Sequence, residues 1–449
     1  MRFVPTTEAE KREMLASLGA ASIEELFADI PAGLRLKDEL DLPPAMYESE
    51  LTAHLRSLAG RNADLENYAC FMGGGVYDRL VPAALSAVAS RAEFVTAYTP
   101  YQAEISQGVL QAIYEYQTFI CQLTGLDVAN ASVYDGATAC AEAALMAVAH
   151  TGRRAVLVTE GLHPEYRRVV ETYLRPQGLE LITVPQREDG QADMAALEAL
   201  SVGKKAAGLI AQQPNFFGCL EPMAALAQTM HEAGGLFIAC VEPVSLGILA
   251  SPGSYGADIA VGEGQSLGNP VSFGGPLLGF MAAKQDLLRR LPGRIVGATV
   301  DKDGRRGFVL TLQAREQHIR REKASSNICS NQALNALYAA VYLALAGKEG
   351  LKEAANLSVQ KAHYLYKRLT ALPGWRPAFS GPFFNEFCLA VDERIDWEQI
   401  ERRLLEQKII GGLPLGRLER KYEGLVLFCV TEARTRAEMD RLVEIVAAM

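Results

Sequence analysis

The chain has 449 residues, 49% of them hydrophobic, so it is long enough to bury a large core and to hold roughly two or three domains. Its formal net charge of −9 argues against a general binder of nucleic acid or acidic membranes, because such surfaces need an excess of cationic side chains. No apolar stretch reaches the roughly 18 to 20 residues that span a bilayer, and no signal peptide is visible, so we expect a cytoplasmic protein without membrane segments.

The N-terminal 65 residues predict a helical arm. Capping boxes of the S/T-x-x-E type begin at Thr7 and at Ser22, and Gly19 lies where the first helix would end. The apolar positions form narrow stripes that must pack on another surface. We therefore expect residues 1–65 to be an arm rather than an independent domain.

Apolar, β-branched segments alternate with amphipathic helices in the middle of the chain. This alternation implies crossover connections and hence a mainly parallel sheet with helices on both faces. The expected strands are residues 155–160, 179–185, 206–213, 236–243, 258–263 and 277–283.

The C-terminal third changes character. The apolar residues 333–347 predict a buried helix, and strands and helices beyond residue 375 predict a small α+β domain. The expected division is a large α/β domain at 66–330, followed at 331–449 by a long linking helix and the small domain.

The eight cysteines are scattered without C-x-x-C spacing, and the six histidines show no metal-ligand spacing. We expect reduced core thiols and no metal site.

One short stretch, GEGQSLG (262–268), resembles two kinds of catalytic loop. It contains the G-x-S-x-G pattern of the serine hydrolase elbow, with Ser266 as nucleophile, but the proline and glycine residues that follow prevent the helix that an elbow requires. No triad acid or histidine has a recognisable context, so a turn serine that caps backbone groups is the favoured interpretation. A dinucleotide loop lacks its third glycine.

A third interpretation considers what precedes this loop. Glu242 ends one predicted strand, and Gln265 follows the next. In many pyridoxal-phosphate enzymes of large-plus-small architecture, such an acid holds the pyridine nitrogen, and a lysine at the later position forms the Schiff base. No lysine occurs between Lys205 and Lys284, and Gln265 and Ser266 stand in the equivalent loop. The pattern predicts the architecture without its reactive lysine. We therefore expect Glu242 to make a structural hydrogen bond rather than to hold a cofactor.

Four segments carry the motifs of one family: FMGGGVYDRLVP (71–82), TAYTPYQAEISQGVLQAIYEYQTFICQLTGLDVANAS (96–132), YGADIAVGEGQSLGNPVSFGGPLLGF (255–280) and REQHIRREKASSNICSNQAL (315–334). Together they resemble the glycine-cleavage P protein, the decarboxylating glycine dehydrogenase, and in particular the α subunit of its split two-chain form. The resemblance implies the aspartate-aminotransferase fold of type I pyridoxal-phosphate enzymes, with a mainly parallel large domain, a small C-terminal α+β domain and an N-terminal helical arm.

The resemblance also implies a function that is shared between chains. A homologous β subunit would hold pyridoxal 5′-phosphate on its lysine, in an α2β2 assembly, while this chain completes the active site and has no catalytic residue of its own. Glycine would be decarboxylated and its aminomethyl group passed to the lipoyl group of H protein. The alternative is a non-catalytic regulatory or scaffold subunit that kept the fold.

Two segments supply the candidate residues for lining the site or contacting the partner. The loop YTPYQAE concentrates polar groups around the stiffening Pro100, which suits a small zwitterion such as glycine or a rigid subunit contact with buried tyrosines. Its candidates are Tyr98, Thr99, Tyr101, Gln102 and Glu104. The glycines at 73–75 suit close backbone approach to a ligand or to a neighbouring element, with Tyr77 as a candidate contact.

A local basic cluster lies near residue 320 of this acidic protein. It suits a phosphate, a substrate carboxylate or an acidic carrier protein, and a solvated helix face is the alternative. Its candidates are His318, Arg320, Arg321 and Lys323, followed by Asn327, which with Ser326 is predicted to cap the long helix.

Overall fold

The computed structural model describes residues 5–449, which divide into two compact units, residues 5–62 and Ala63–Met449. The first unit contains helices α1 (Glu8–Ser17) and α2 (Glu48–Ala59). The capping box at Thr7 is confirmed, and Gly19, with φ of +71°, follows the end of α1. The second predicted box is wrong: only a short 3-10 turn forms there, and no side chain caps it.

A seven-stranded sheet forms the centre of the second unit, and all six predicted strands are confirmed within two residues. The first eight strands of the chain, of which all except β1 belong to this sheet, are β1 (Ala69–Cys70), β2 (Val128–Ala129), β3 (Ala155–Thr159), β4 (Glu180–Val184), β5 (Gly208–Gln213), β6 (Leu236–Val241), β7 (Ile259–Glu263) and β8 (Gly279–Ala283). In space the order is β2-β8-β7-β6-β5-β3-β4. The strands from β7 to β4 are parallel to one another, and β8 is antiparallel to both of its neighbours, β7 and β2.

Helices cover both faces of this sheet. They are α3 (Ala83–Ala89), α4 (Gln107–Thr124), α5 (Gly136–Thr151), α6 (Pro164–Leu174), α7 (Met194–Gly203) and α8 (Met223–Glu232). Successive strand residues point to opposite faces, so Leu157 belongs to one core cluster whereas Val156 and Val158 belong to the other. Burial on both faces explains why the strands are nearly continuous apolar runs.

A hairpin and a long helix follow the sheet. Strands β9 (Ile295–Val300) and β10 (Arg306–Thr311) pair antiparallel, and the short helix α9 (Gln317–Arg320) leads towards α10 (Ala333–Leu369). Helix α10 is interrupted at Gly347, where φ is +58°. The predicted helix at 333–347 exists, but only one of its faces is buried.

The C-terminal region is a four-stranded antiparallel sheet with two helices. Its elements are β11 (Trp375–Pro377), β12 (Glu386–Val391), α11 (Trp397–Glu406), β13 (Ile409–Ile410), β14 (Leu413–Pro414), β15 (Leu425–Cys429) and α12 (Arg436–Ala447). Strand β1 pairs in parallel with β13, which lies more than 300 residues later in the chain. The segment 71–82 that follows β1, called the strap below, is therefore anchored at the C-terminal region.

Two further properties concern the described residues only. None of their helices combines the length and apolarity that a membrane crossing requires. All eight cysteines are free thiols, five of them buried and Cys329 exposed.

Candidate active site

Three polar side chains meet where β6 and β7 end. Glu242 follows β6, Glu263 closes β7 and Gln265 comes two residues later. Because parallel neighbours end at the same edge of a sheet, this is the edge at which open α/β sheets bind ligands.

Gln265 is one of two residues, with Ser266, in the loop where the sequence lacks a lysine. Its side chain is 1% exposed. Its Nε2 donates to the carbonyl oxygens of Tyr77 at 3.1 Å and Asn269 at 2.7 Å, and its Oε1 accepts from the Tyr77 amide at 2.9 Å. The amide group is thus fully used in binding the strap to the loop after β7.

Ser266 is also held within the chain. Its Oγ donates to Glu242 Oε1 at 2.8 Å, and no helix follows it. A nucleophile elbow is therefore absent here. The predicted backbone-capping role is wrong, because the hydroxyl binds a carboxylate instead.

Glu242 has the structural role expected of it. Its Oε1 also accepts from Arg79 Nη2 at 3.3 Å, and its Oε2 accepts from the Ser245 amide at 2.6 Å. Arg79 is buried and binds Glu432 as well, at 2.7 Å. The acid is thus neutralised by a guanidinium of the strap.

Glu263 occupies the N-terminal end of α5. Its Oε2 accepts from the Gly136 amide at 3.0 Å, and its Oε1 accepts from the amides of Gln265 at 3.0 Å and Leu278 at 2.7 Å. Burial raises the pKa of this carboxyl to about 7, although the three amide hydrogen bonds act in the opposite direction. A helix N-terminus at a sheet edge is a common phosphate site, and here the chain's own carboxyl group fills it.

The strap closes the remaining space above this edge. Glu386 accepts from the Gly74 amide at 2.7 Å and from the Tyr77 hydroxyl at 2.8 Å, and burial raises its pKa to about 7. His163 Nε2 lies 2.8 Å from the Gly74 carbonyl oxygen. A Cβ at Gly73 would lie 2.0 Å from Glu386 Oε1, so this glycine permits close approach to a neighbouring strand.

The candidate role of Tyr77 is corrected by this arrangement. The residue is 7% exposed, with its hydroxyl on Glu386 and its backbone on Gln265. It is a packing residue within this chain rather than an interface or anion-binding residue.

The residues at this edge do not fit a pyridoxal phosphate. The cavity between Tyr77, Tyr166, Glu242 and Glu263 has a volume of about 20 Å³, which is room for about one water molecule. No lysine lines it, and both acids are fully hydrogen-bonded. This chain's own cleft is therefore sealed.

The tyrosine loop lies on the surface. Tyr98 is 86% exposed and Tyr101 is 55% exposed, so this chain alone does not bury them, and the expectation of a subunit contact that buries the tyrosines stays a prediction. The Tyr101 Oη accepts a hydrogen bond from Arg294 Nη2 at 2.7 Å. Thr99 is half-buried, whereas the side chains of Gln102 and Glu104 are exposed.

The structure brings part of the basic cluster to the same surface. The His318 ring lies 6.3 Å from the Tyr101 ring in an edge-on arrangement. Exposed neighbours complete the cluster: Arg320, Arg321, Lys323 and Asn327. The predicted helix cap is wrong, because α10 begins at Ala333 and Ser326 donates to Glu142 instead, at 2.8 Å.

Sequence reasoning missed Arg294. It stands in LPGRIVG directly before β9 and resembles an ordinary loop arginine, so no local signal distinguishes it. Its contact with Tyr101 spans almost 200 residues of sequence.

The sheet order, the small antiparallel sheet and the acid after β6 define a type I pyridoxal-phosphate enzyme fold. Solved structures of low identity support the fold alone: a sphingosine-1-phosphate lyase of Burkholderia pseudomallei (16% identity, TM-score 0.66, 93% of this chain and 94% of that one) and a NifS-like protein (14%, 0.63, 85% and 98%).

The chain belongs to the glycine cleavage system P-protein family, whose model matches residues 1–446. It is 56% identical to the probable glycine dehydrogenase (decarboxylating) subunit 1 of Moorella thermoacetica, covering 99% of this chain and 98% of that protein. It is also 56% identical to the protein of the same designation in Carboxydothermus hydrogenoformans, covering 99% of both. A solved glycine decarboxylase (P-protein) of the glycine cleavage system, in inhibitor-bound form, matches with 49% identity, a TM-score of 0.88 and full coverage of both chains.

These findings confirm the resemblance and the fold expected from the sequence. The family is that of a pyridoxal-phosphate-dependent glycine decarboxylase, and the designation subunit 1 implies a second subunit.

Proposed function

We propose that this chain is subunit 1 of a glycine dehydrogenase (decarboxylating), the P protein of the glycine cleavage system. Full-length similarity to proteins of that designation supports the assignment. The same relatives do not favour the alternative of a non-catalytic scaffold.

One observation carries the division of labour between subunits. In a fold built for a lysine-bound cofactor, the equivalent loop carries Gln265 and Ser266 instead of a lysine, and both side chains are buried and hydrogen-bonded within the chain. The reactive lysine must therefore come from another chain. A homologous subunit 2 that holds pyridoxal phosphate on its lysine is the partner, in an α2β2 assembly.

A surface of this chain suits contact with that partner. We call it the tyrosine face and define it by Tyr98, Tyr101, Ile105, His318 and Ile319. The exposed fractions of Tyr98, Ile105 and Ile319 are 86%, 80% and 52%. Large apolar side chains grouped on a surface are typical of interaction sites. Beside Tyr98, a cavity of about 300 Å³ lies between α4 and the start of α10 and offers room for a partner side chain.

The tyrosine face would form one wall of the shared active site. Its hydroxyls, with the Gln102 amide and the Glu104 carboxylate, suit the orientation of a zwitterion, and its apolar residues exclude water. Pyridoxal phosphate, when bound by the partner, supplies the electron sink for the loss of CO2. The exposed Arg320, Arg321, Lys323 and Asn327 suit acidic groups of the partner or of lipoylated H protein, which receives the aminomethyl group.

Reconstitution tests this proposal. Glycine-dependent exchange of CO2 is measured with this chain, subunit 2 and lipoylated H protein, together and with each one omitted. We expect full exchange only with all three. Full activity without this chain would refute the proposal. Borohydride reduction and mass mapping should find the cofactor adduct on subunit 2, and a stoichiometric adduct on this chain would contradict the sealed cleft.

A further inference from the structure

Three arginines are buried among residues 5–449: Arg79, Arg294 and Arg434. Arg79 has carboxylates of Glu242 and Glu432 at 3.3 and 2.7 Å, and Arg434 has Asp78 at 2.6 Å. Arg294 is 4% exposed, and in this part of the chain no carboxylate lies within 4.0 Å of it. Arg294 therefore lacks the counter-charge that the other two arginines possess. A buried charge without a counter-charge is strongly unfavourable, so an anion from outside this chain would stabilise it.

The surroundings of Arg294 place it just below the tyrosine face. Its Nη2 donates to Tyr101 Oη at 2.7 Å, and its Cζ lies 5.3 Å from the Tyr101 ring centroid. The backbone on either side is fixed: the Arg294 carbonyl accepts from the Ala131 amide at 2.8 Å, and Arg315 donates to the Gly293 carbonyl at 2.6 Å. The guanidinium is thus held in place beside the hydroxyl of a half-exposed tyrosine.

The charges around this point do not cancel. Arg315 is the second guanidinium, and it binds only carbonyl oxygens of residues 291 and 293. Glu316 follows Arg315 in the chain, is buried, and lies 3.9 Å from the ring of His318. Among residues 315–323, four lysine and arginine side chains stand against two glutamates. This excess of positive charge favours an anionic ligand.

We propose that Arg294, held under Tyr101, binds the carboxylate of the amino-acid substrate in the active site that this chain shares with subunit 2. The inference rests on the proposed function and adds the residue by which this chain recognises glycine. A guanidinium matches a carboxylate through two parallel hydrogen bonds. A phosphate dianion would call for more donors than one fork and one hydroxyl.

Equilibrium titration of the cofactor-loaded complex with glycine and with methylamine tests the proposal. Methylamine has the amino group of glycine but no carboxylate. For Arg294→Gln we expect the apparent Kd for glycine to rise roughly 10- to 100-fold, because a charge-assisted pair is lost, with methylamine unchanged within about twofold. Arg294→Lys keeps the positive charge but loses the paired guanidinium N–H donors, so its apparent Kd for glycine should lie between those of the wild type and Arg294→Gln. Tyr101→Phe leaves the guanidinium intact, and it should weaken the binding of glycine more than the binding of methylamine.

Arg290→Gln is the matched control. Arg290 is exposed in the same segment, and its variant should bind both ligands as the wild type does. The proposal is overturned if Arg294→Gln leaves glycine affinity unchanged, weakens both ligands equally, or affects only cofactor affinity or subunit association. The last two outcomes would assign Arg294 to the cofactor phosphate and to a partner's acid, respectively. A wild-type complex without any glycine response would instead refute the proposed function itself.

Discussion

Restoring a lysine to this chain should not restore a cofactor site. The substitution Gln265→Lys supplies an amine in the loop where the fold would carry its lysine. The strap, however, lies over that position, and the cavity beside it holds only about 20 Å³. We expect no stoichiometric pyridoxal-phosphate adduct at position 265 after borohydride reduction and mass mapping.

The same substitution should destabilise the chain. A lysine cannot accept the hydrogen bond from the buried Tyr77 amide, and leaving that donor unpaired costs about 1 to 3 kcal/mol. The ammonium also loses water, and the nearby carboxylates of Glu242 and Glu263 already have their hydrogen bonds. We expect a loss of about 3 kcal/mol in the free energy of unfolding, measured by urea titration.

Gln285→Lys provides the control for both measurements. Gln285 is an exposed glutamine on the same unit, so its variant should keep wild-type stability and show only background modification. A specific adduct at position 265, together with unchanged stability, would refute the conclusion that the strap seals the cleft.

Three further predictions test other contacts. The folded pKa of Glu386 is raised from 4.5 to about 7, so the native state retains a proton that the unfolded state releases. The free energy of unfolding should therefore fall as pH rises from about 5 to 8. In urea titrations, Glu386→Gln should remove about 3 kcal/mol of that fall. Gly218→Ala should cost more than about 3 kcal/mol, because the new Cβ would lie 2.0 Å from the Glu386 carbonyl oxygen, whereas Gly304→Ala, also at positive φ but in open space, should cost only about 1 to 2 kcal/mol in thermal unfolding. Tyr98→Ala should weaken association with subunit 2 at least about tenfold in sedimentation experiments without changing the chain's own stability; an equal effect from Val202→Ala, exposed elsewhere, would contradict the tyrosine face.

The central sheet could be predicted because its strands are buried on both faces. Such strands are continuous apolar runs bounded by turns, and sequence reveals them directly. The hairpin β9–β10 was missed although DKDG, between two β-branched segments, is a turn signal that could have revealed it.

The sealed cleft could be predicted only in part. The absence of a lysine is visible in the sequence, and so is the Pro/Gly run that prevents a helix after Ser266. What fills the site is not visible, because the strap reaches Glu386 across more than 300 residues. Contacts of that separation have no periodicity or spacing that a single sequence displays. For the same reason, the contact between Arg294 and Tyr101 could not be predicted from the sequence.

The sealed cleft and the region below the tyrosine face differ in how their buried charges are compensated. In the cleft, the Arg79 guanidinium meets two carboxylates, and Glu263 and Glu386 receive amide or hydroxyl hydrogens from their own chain. Below the tyrosine face, Arg294 has a hydroxyl and no acid. A folded chain tolerates one such uncompensated cation when a ligand or another chain supplies the anion. The contrast supports the proposal that the region below the tyrosine face, rather than this chain's own cleft, contributes to the site that is proposed to be shared with subunit 2.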